Sequence, residues 1–155
     1  RAEWPYRNGQ LEMVTEPLNL EDLLSELNGP AENEPPCPQG ISIGHIHLQV
    51  SSLRAAQEFY HNALGFDVTQ SNFPGALFLS AGGYHHHVGV NVWNSRGVSP
   101  APARSRGLTR FGIHLGNEHA LRSLAEQLRS TPFWVQDLID GFVVRDGDNI
   151  HIDIT

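Results

Sequence analysis

The chain has 155 residues, 39% hydrophobic and 17% charged, with a formal net charge of −7 when histidine is neutral. That is the composition of a globular chain, long enough for one domain or for two small modules sharing a core. The acidic balance and the lack of a basic run exclude nucleic acid and anionic membranes as main partners.

Further exclusions follow from residue counts. All ten positive residues are arginine, so lysine Schiff-base chemistry is excluded. The single cysteine, Cys37, leaves no internal disulfide and no cysteine-rich zinc site. It lies in Glu34-Pro35-Pro36-Cys37-Pro38, a poor position for a nucleophile. No apolar run approaches membrane-spanning length and no signal-peptide pattern is visible, so a cytoplasmic location is expected. The chain opens at Arg1 rather than Met, and residues upstream are expected.

Residues 1–40 read as an N-terminal helical extension with a Pro-rich linker. A helix is predicted over 19–28, with Asn19 as N-cap, acidic residues in the first turn and Gly29-Pro30 as the stop. Leu20, Leu23, Leu24 and Leu27 form a stripe that needs a docking partner. Residues 30–40, rich in Pro, Glu and Asn, read as linker.

From Ile41 a pattern repeats. A strand at 41–50 leads to a helix at 52–64, with Leu53, Ala56, Phe59, Tyr60 and Leu64 inward and Gly65 as C-cap. Strands follow near 66–70, 76–80 and 84–93, with turns at Pro74-Gly75 and Gly82-Gly83. A Ser/Pro/Arg/Gly connector covers 94–107. Then come a strand at 108–115, a helix at 118–130 with Leu121, Leu124, Ala125 and Leu128 inward, and strands near 133–137, 141–145 and 149–154. This is βαβββ twice, offset by about 65 residues, as an internal duplication would produce. The expected fold is α+β. The domain spans 41–155, as modules 41–94 and 107–155.

Nine histidines are spread through the chain, most of them in the predicted strands. Side chains alternate faces along a strand. His45, His47 and Gln49 then share a face opposite Ile46, Leu48 and Val50. His85, His87, Gly89 and Asn91 oppose His86, Val88 and Val90. His151 and Asp153 oppose Ile150, Ile152 and Ile154. Three strands thus present an apolar face and a face of imidazole or carboxylate. Such groups converging on one cavity suit a divalent transition metal.

These residues carry a family resemblance. Gly44-His45-Ile46-His47-Leu48-Gln49-Val50-Ser51, with Phe59-Tyr60 and Leu64-Gly65-Phe66, resembles the opening motif of the vicinal oxygen chelate superfamily. This is the superfamily of glyoxalases, bleomycin resistance proteins and extradiol dioxygenases. Pro74 through His87, with Asn91-Val92-Trp93-Asn94, is similar to its catechol 2,3-dioxygenase-like branch. So is Arg1-Ala2-Glu3-Trp4-Pro5 through Leu24. A looser similarity is to small extradiol enzymes that open the ring of L-DOPA.

The resemblance implies two βαβββ modules forming an incomplete barrel around Fe(II), or Mn(II), held by two His and one carboxylate. It places the first ligand at His45 and the terminal carboxylate at Asp153, where the family usually has Glu. Arg110 stands where a ligand His is common, and a guanidinium offers no lone pair. Two accounts compete. In one, His87 completes a set of His45, His87 and Asp153, and Arg110 binds a substrate carboxylate. In the other, this half has lost its metal and is a structural partner of another module. His85, His114 and His151 are spare imidazoles on the same side.

The implied activity is extradiol cleavage of an L-DOPA-like catechol by O₂. His85 is the first candidate proton carrier and His47 the second. Tyr84 and Trp93 are candidates for packing the ring, though ordinary sheet packing is the stronger reading of both. A glyoxalase-like metalloenzyme is an alternative, disfavoured by the scarcity of carboxylates. The leucine stripe and open sheet edges predict a homo-oligomer, most simply a dimer.

Overall fold

A computed structural model describes residues 4–12, 17–26, 39–100, 102 and 105–155. Within 41–155 the predicted duplication is plain in the topology. The first module has β3 (Ile46–Gln49), α2 (Leu53–Gln57), β4 (Asp67–Gln70), β5 (Ala76–Ser80) and β6 (Val88–Asn91). The second has β7 (Arg110–Ile113), α3 (Glu118–Arg129), β8 (Val135–Leu138), β9 (Gly141–Arg145) and β10 (His151–Ile154). Each module makes one four-stranded mixed sheet, ordered β3-β6-β5-β4 and β7-β10-β9-β8. In both, the first strand pairs parallel with the last, and the other neighbours are antiparallel. The sheets do not close into a barrel.

The core lies on the helix-covered faces. Ser52 caps α2 by accepting from the Ala55 N–H, and the helix continues as a π-helical stretch over Glu58–Ala63. There the Leu64 N–H reaches back to the Phe59 carbonyl at 2.9 Å. The wider turn puts Phe59, Tyr60 and Ala63 inside. Asn117 caps α3, accepting from the His119 and Ala120 amides, and α3 buries Ala125 and Leu128. Against these pack Leu48, Val50, Val88 and Val90 of one sheet and Phe142, Val144, Ile152 and Ile154 of the other. One core thus joins both modules, and the opposite sheet faces are left for polar side chains.

The N-terminal extension differs from expectation. Residues Tyr6–Arg7 (β1) and Gln10–Leu11 (β2) form a hairpin not foreseen in the sequence. Asn8 and Gly9, at φ 52° and 78°, make its turn. Positive φ at both central residues is what a tight hairpin requires, and Asn-Gly adopts it at least cost. The hairpin is tied to β4 by Gln70, whose amide donates to the Leu11 carbonyl at 2.8 Å. Leu11 is buried there.

The predicted helix is present as α1 (Leu20–Ser25), with Asn19 accepting from the Asp22 amide. Its Leu20, Leu23 and Leu24 are exposed. Leu27, Cys37 and most of the predicted linker fall outside the described residues.

A second difference bears on the site. The strand expected over 84–93 is regular only from Val88 to Asn91. Gly82 and Gly83 both take positive φ, and residues 84–87 stay irregular. The two-residue alternation that placed His85 and His87 together therefore does not operate there.

Candidate metal centre

β3 projects His47 from the face opposite the buried Leu48, and His45 stands just before the strand. The parallel register sets His47 beside Gly89 of β6. Glycine is required at that place: a Cβ on Gly89 would lie 2.7 Å from His47 Cε1. The imidazole lies flat over the space a side chain would fill. The irregular segment before β6 then turns His86 onto the same spot. His47 Nε2 and His86 Nε2 are 2.9 Å apart. The His45 ring is 4.6 Å from that of His86 and 5.4 Å from that of His47. One ring nitrogen from each of His45, His47 and His86 falls within 4.8 Å of the others.

Electrostatics keep this cluster ready to donate lone pairs. Burial, then the neighbouring imidazoles of His85, His45, His47 and His87, push His86 down to about 3. His47 is lowered by burial and then by His45. Burial disfavours a charge that water no longer solvates, and a like charge adds to the penalty. His47 and His86 are therefore neutral near pH 7. His86 Nδ1 is buried with no hydrogen-bond partner, whereas most buried polar groups have one. A spacing of 2.9 Å suits adjacent ligands each about 2.1 Å from one ion. Imidazole donors suit iron, zinc, copper or nickel. The residues fit a divalent transition metal.

Around the cluster is an aromatic pocket. Phe78 of β5 lies edge-on to His47 and His86, at 5.8 and 5.1 Å between ring centroids. Phe73, Trp93 and Trp4 also line the pocket, with Leu11 and Glu12 from the N-terminal hairpin. Trp93 is held by its indole N–H donating to the Pro74 carbonyl at 2.9 Å. Trp4 packs edge-on to Tyr84 and His85.

The remaining sequence candidates are placed as follows. His85 sits 4.4 Å, ring to ring, from His86, with Nδ1 buried and unpaired. Its pKa is lowered by burial and then by His45 and His87. His87 turns away from the cluster: its Nδ1 accepts from the Ala81 amide at 3.2 Å and lies 3.1 Å from Ser80 Oγ. Asp153 lies on the second sheet, where Arg110 Nε is 3.6 Å from its Oδ2. The parallel register explains the pair, because Arg110 aligns with His151 and Asp153 with Gly112. His151 stacks on Trp134, and His114 Nδ1 is 3.4 Å from the Thr155 hydroxyl. His45 and His47 thus join a cluster whose third member, His86, sequence alternation assigned to the core face. The Gly82-Gly83 pair just upstream was the one signal that the chain was not yet a strand at His86.

Comparison with known proteins places this geometry. The catechol-2,3-dioxygenase of Bacillus subtilis (strain 168) is 37% identical over 149 residues, covering 94% of this chain and 51% of that protein. The chain therefore spans about half the length of that relative. An integron cassette protein from the mobile metagenome of the Halifax Harbour sewage outfall has a similar fold. Its TM-score is 0.56 at 14% identity, over 73% of this chain and 96% of that one. Lactoylglutathione lyase from Agrobacterium tumefaciens gives a TM-score of 0.55 at 16% identity, over 76% and 94% of the two chains. With residues 42–132 matching the model of the Glyoxalase/Bleomycin resistance protein/Dioxygenase superfamily, and the doubled sheet topology to go with it, the chain belongs to that superfamily.

Proposed function

We propose that the chain is an Fe(II)-dependent extradiol dioxygenase, or the catalytic half of one, that opens the ring of a catechol with O₂. The observation that carries this reading is the cluster of three imidazole nitrogens, within 4.8 Å of one another, two of which, from His47 and His86, line a pocket walled by aromatic rings. The similarity to a catechol-2,3-dioxygenase supports it.

When bound, the metal supplies Lewis acidity that eases deprotonation of the diol and a redox partner for O₂. The protein's own groups do the rest. His45, His47 and His86 donate lone pairs. Phe78, Phe73 and Trp93 take the faces and edges of the substrate ring and exclude water. His85 has a buried Nδ1 without a partner and is neutral near pH 7. It is placed to take the proton that the diol releases and to return it as the O–O bond breaks. Both oxygen atoms end in the ring-opened product. No external reductant is consumed.

His45 is common to the ligand set proposed here and to the set of His45, His87 and Asp153 that the family resemblance implies. The latter needs His87 released from Ala81 and Ser80; Asp153 meets Arg110 through Oδ2 only, and its Oδ1 is buried without a hydrogen-bond partner. A glyoxalase-type site would favour carboxylates, whereas the cluster consists of imidazoles alone. An L-DOPA-like substrate is implied by the looser family resemblance, with Arg110 as the residue that would bind its carboxylate. With Asp153 already beside Arg110, the geometry favours a catechol without that requirement. The exposed leucines of α1 support assembly as a homodimer. No helix among the described residues is long and apolar enough to cross a membrane.

The test is anaerobic loading of the full chain with ferrous iron, then O₂ uptake and absorbance scans on catechol, protocatechuate and L-DOPA. The expected result is stoichiometric O₂ consumption and a ring-opened chromophore with catechol. Iron retained without turnover would reject the dioxygenase reading. A chain that retains no metal would point instead to a structural half of a two-domain enzyme.

A further inference from the structure

The pocket lined by His47 and His86 has a volume of about 420 Å³, within the roughly 300–1,000 Å³ of small-molecule sites. Among the described residues that line it, Glu12 is the one carboxylate, and none is Lys or Arg. The other ionisable side chains there are His47, His85 and His86.

The N-terminal hairpin fixes Glu12 at the rim. Gln10 donates its side-chain amide to the Ser71 hydroxyl at 3.1 Å. Leu11 is buried, and its carbonyl accepts from Gln70. The Glu12 backbone amide donates to the Pro5 carbonyl at 2.9 Å. Arg7 Nη2 meets Glu12 Oε1 at 3.0 Å, but that arginine side chain is 75% exposed. Exposed pairs of this kind are weak, and a carboxylate accepts on both oxygens. Glu12 therefore stays available to a second cation.

The rest of the wall is aromatic, from Trp4, Phe73, Phe78 and Trp93. Trp93 is 55% exposed yet held in place. Its N–H is taken by the Pro74 carbonyl, and its ring lies against Gly75, where a Cβ would come within 2.9 Å of Cδ1. Ring faces attract cations through their quadrupole, indole most strongly. A lone carboxylate among aromatic rings is the chemistry that recognises an organic ammonium group. An anionic substituent would meet Glu12 with no lining guanidinium or ammonium to offset it.

We propose that this pocket selects aromatic diols bearing a protonated amine, with the ammonium held by Glu12 and the aromatic rings while the diol faces His47 and His86. For the diol end this rests on the ring-cleaving reading above; for the ammonium end it does not.

The experiment is calorimetric binding under anaerobic conditions, in which no turnover occurs, on both the metal-free and the iron-loaded chain. The probes are 4-(2-aminoethyl)catechol, its uncharged isostere 4-propylcatechol, and 3,4-dihydroxyphenylacetate. The amine is expected to bind about threefold to tenfold more tightly than the isostere, and the carboxylate compound more weakly. Glu12→Gln should bring the amine down to the affinity of the isostere. A preference absent from both forms of the chain, or one that survives Glu12→Gln, overturns the proposal. So does a Glu12→Gln chain that retains less iron than the parent, since Glu12 would then be a metal ligand. Ring cleavage without the amine preference would defeat the ammonium assignment alone. A preference that Glu12→Gln abolishes, without any ring cleavage, would uphold the ammonium site and defeat the dioxygenase reading.

Discussion

The Tyr60 hydroxyl donates to Asp146 Oδ2 at 2.8 Å, joining the π-helical stretch of the first module to the β9–β10 turn of the second. Both residues are buried. The other carboxylate oxygen accepts from the Asp148 and Ile150 amides at 2.9 and 2.8 Å. Asp148 in turn accepts from the Ser51 amide at the end of β3. These bonds hold the modules in register and so set the position of β3, the strand that carries His47.

Tyr60→Phe would leave a buried carboxylate oxygen without its donor, at a cost of about 1–3 kcal/mol. Urea unfolding should show a lower midpoint at unchanged slope. Asp146 is pushed above its ordinary value of 3.8 by burial, more than its hydrogen bonds from Ile150, Tyr60 and Asp148 pull it back. The folded state then binds this proton more readily than the unfolded state. Its contribution to stability is therefore greatest below the unfolded pKa and is lost as pH rises through the folded one. Asp146→Asn should remove that decline, as unfolding curves taken between mildly acidic and neutral pH would register.

His86→Ala should lower retained iron at least about tenfold, since it deletes one lone pair of three and even outer-shell changes cost 10- to 100-fold. His87→Ala should leave metal content near that of the parent. Elemental analysis after gel filtration decides between them, and the opposite pattern would favour the ligand set with His87 and Asp153.

Gly89→Ala tests the shelf beneath His47. The new methyl would sit 2.7–2.9 Å from three atoms of the ring, so the imidazole must swing off the cluster. Metal affinity is expected to fall roughly 10- to 100-fold while the far-ultraviolet circular dichroism stays that of the parent. Unchanged metal titration would show that His47 is not a ligand.

Arg110→Gln should be nearly silent in stability. The pair with Asp153 is half in solvent on the arginine side, and such pairs contribute about 0–1 kcal/mol. Kinetic losses, if any, should be equal for catechol and L-DOPA. A KM rise confined to L-DOPA would restore Arg110 as a carboxylate-binding residue.

Leu18, Leu20, Leu23 and Leu24 all stand exposed around α1. A homodimer is expected by light scattering at micromolar concentration, and Leu23→Glu combined with Leu24→Glu should return it to monomer. A monomeric parent would show that this face has another use.

Period and punctuation in the sequence determined most of the local structure. The 3.6-residue spacing of Phe59, Tyr60 and Ala56, and of Leu121, Leu124, Ala125 and Leu128, located both helices and their buried faces. Two-residue alternation in Ile46-His47-Leu48-Gln49 and Ile152-Asp153-Ile154 located the strands and told core face from polar face, because a strand buried on one side admits only one register. The doubled pattern implied two sheets of like topology. Tertiary structure alone decided which imidazoles meet. His85, His86 and His87 are adjacent and chemically equal, and alternation separates them correctly only inside a ladder. Regular strand pairing begins at Val88, and His87 already bonds through its backbone to Leu79 and Ile46, but the irregular path over 84–87 turned His86 toward His47 and left the His87 ring to Ser80 and Ala81. The parallel register of β7 on β10 likewise decided that Arg110 faces Asp153, a relation between positions 43 residues apart that no local pattern encodes.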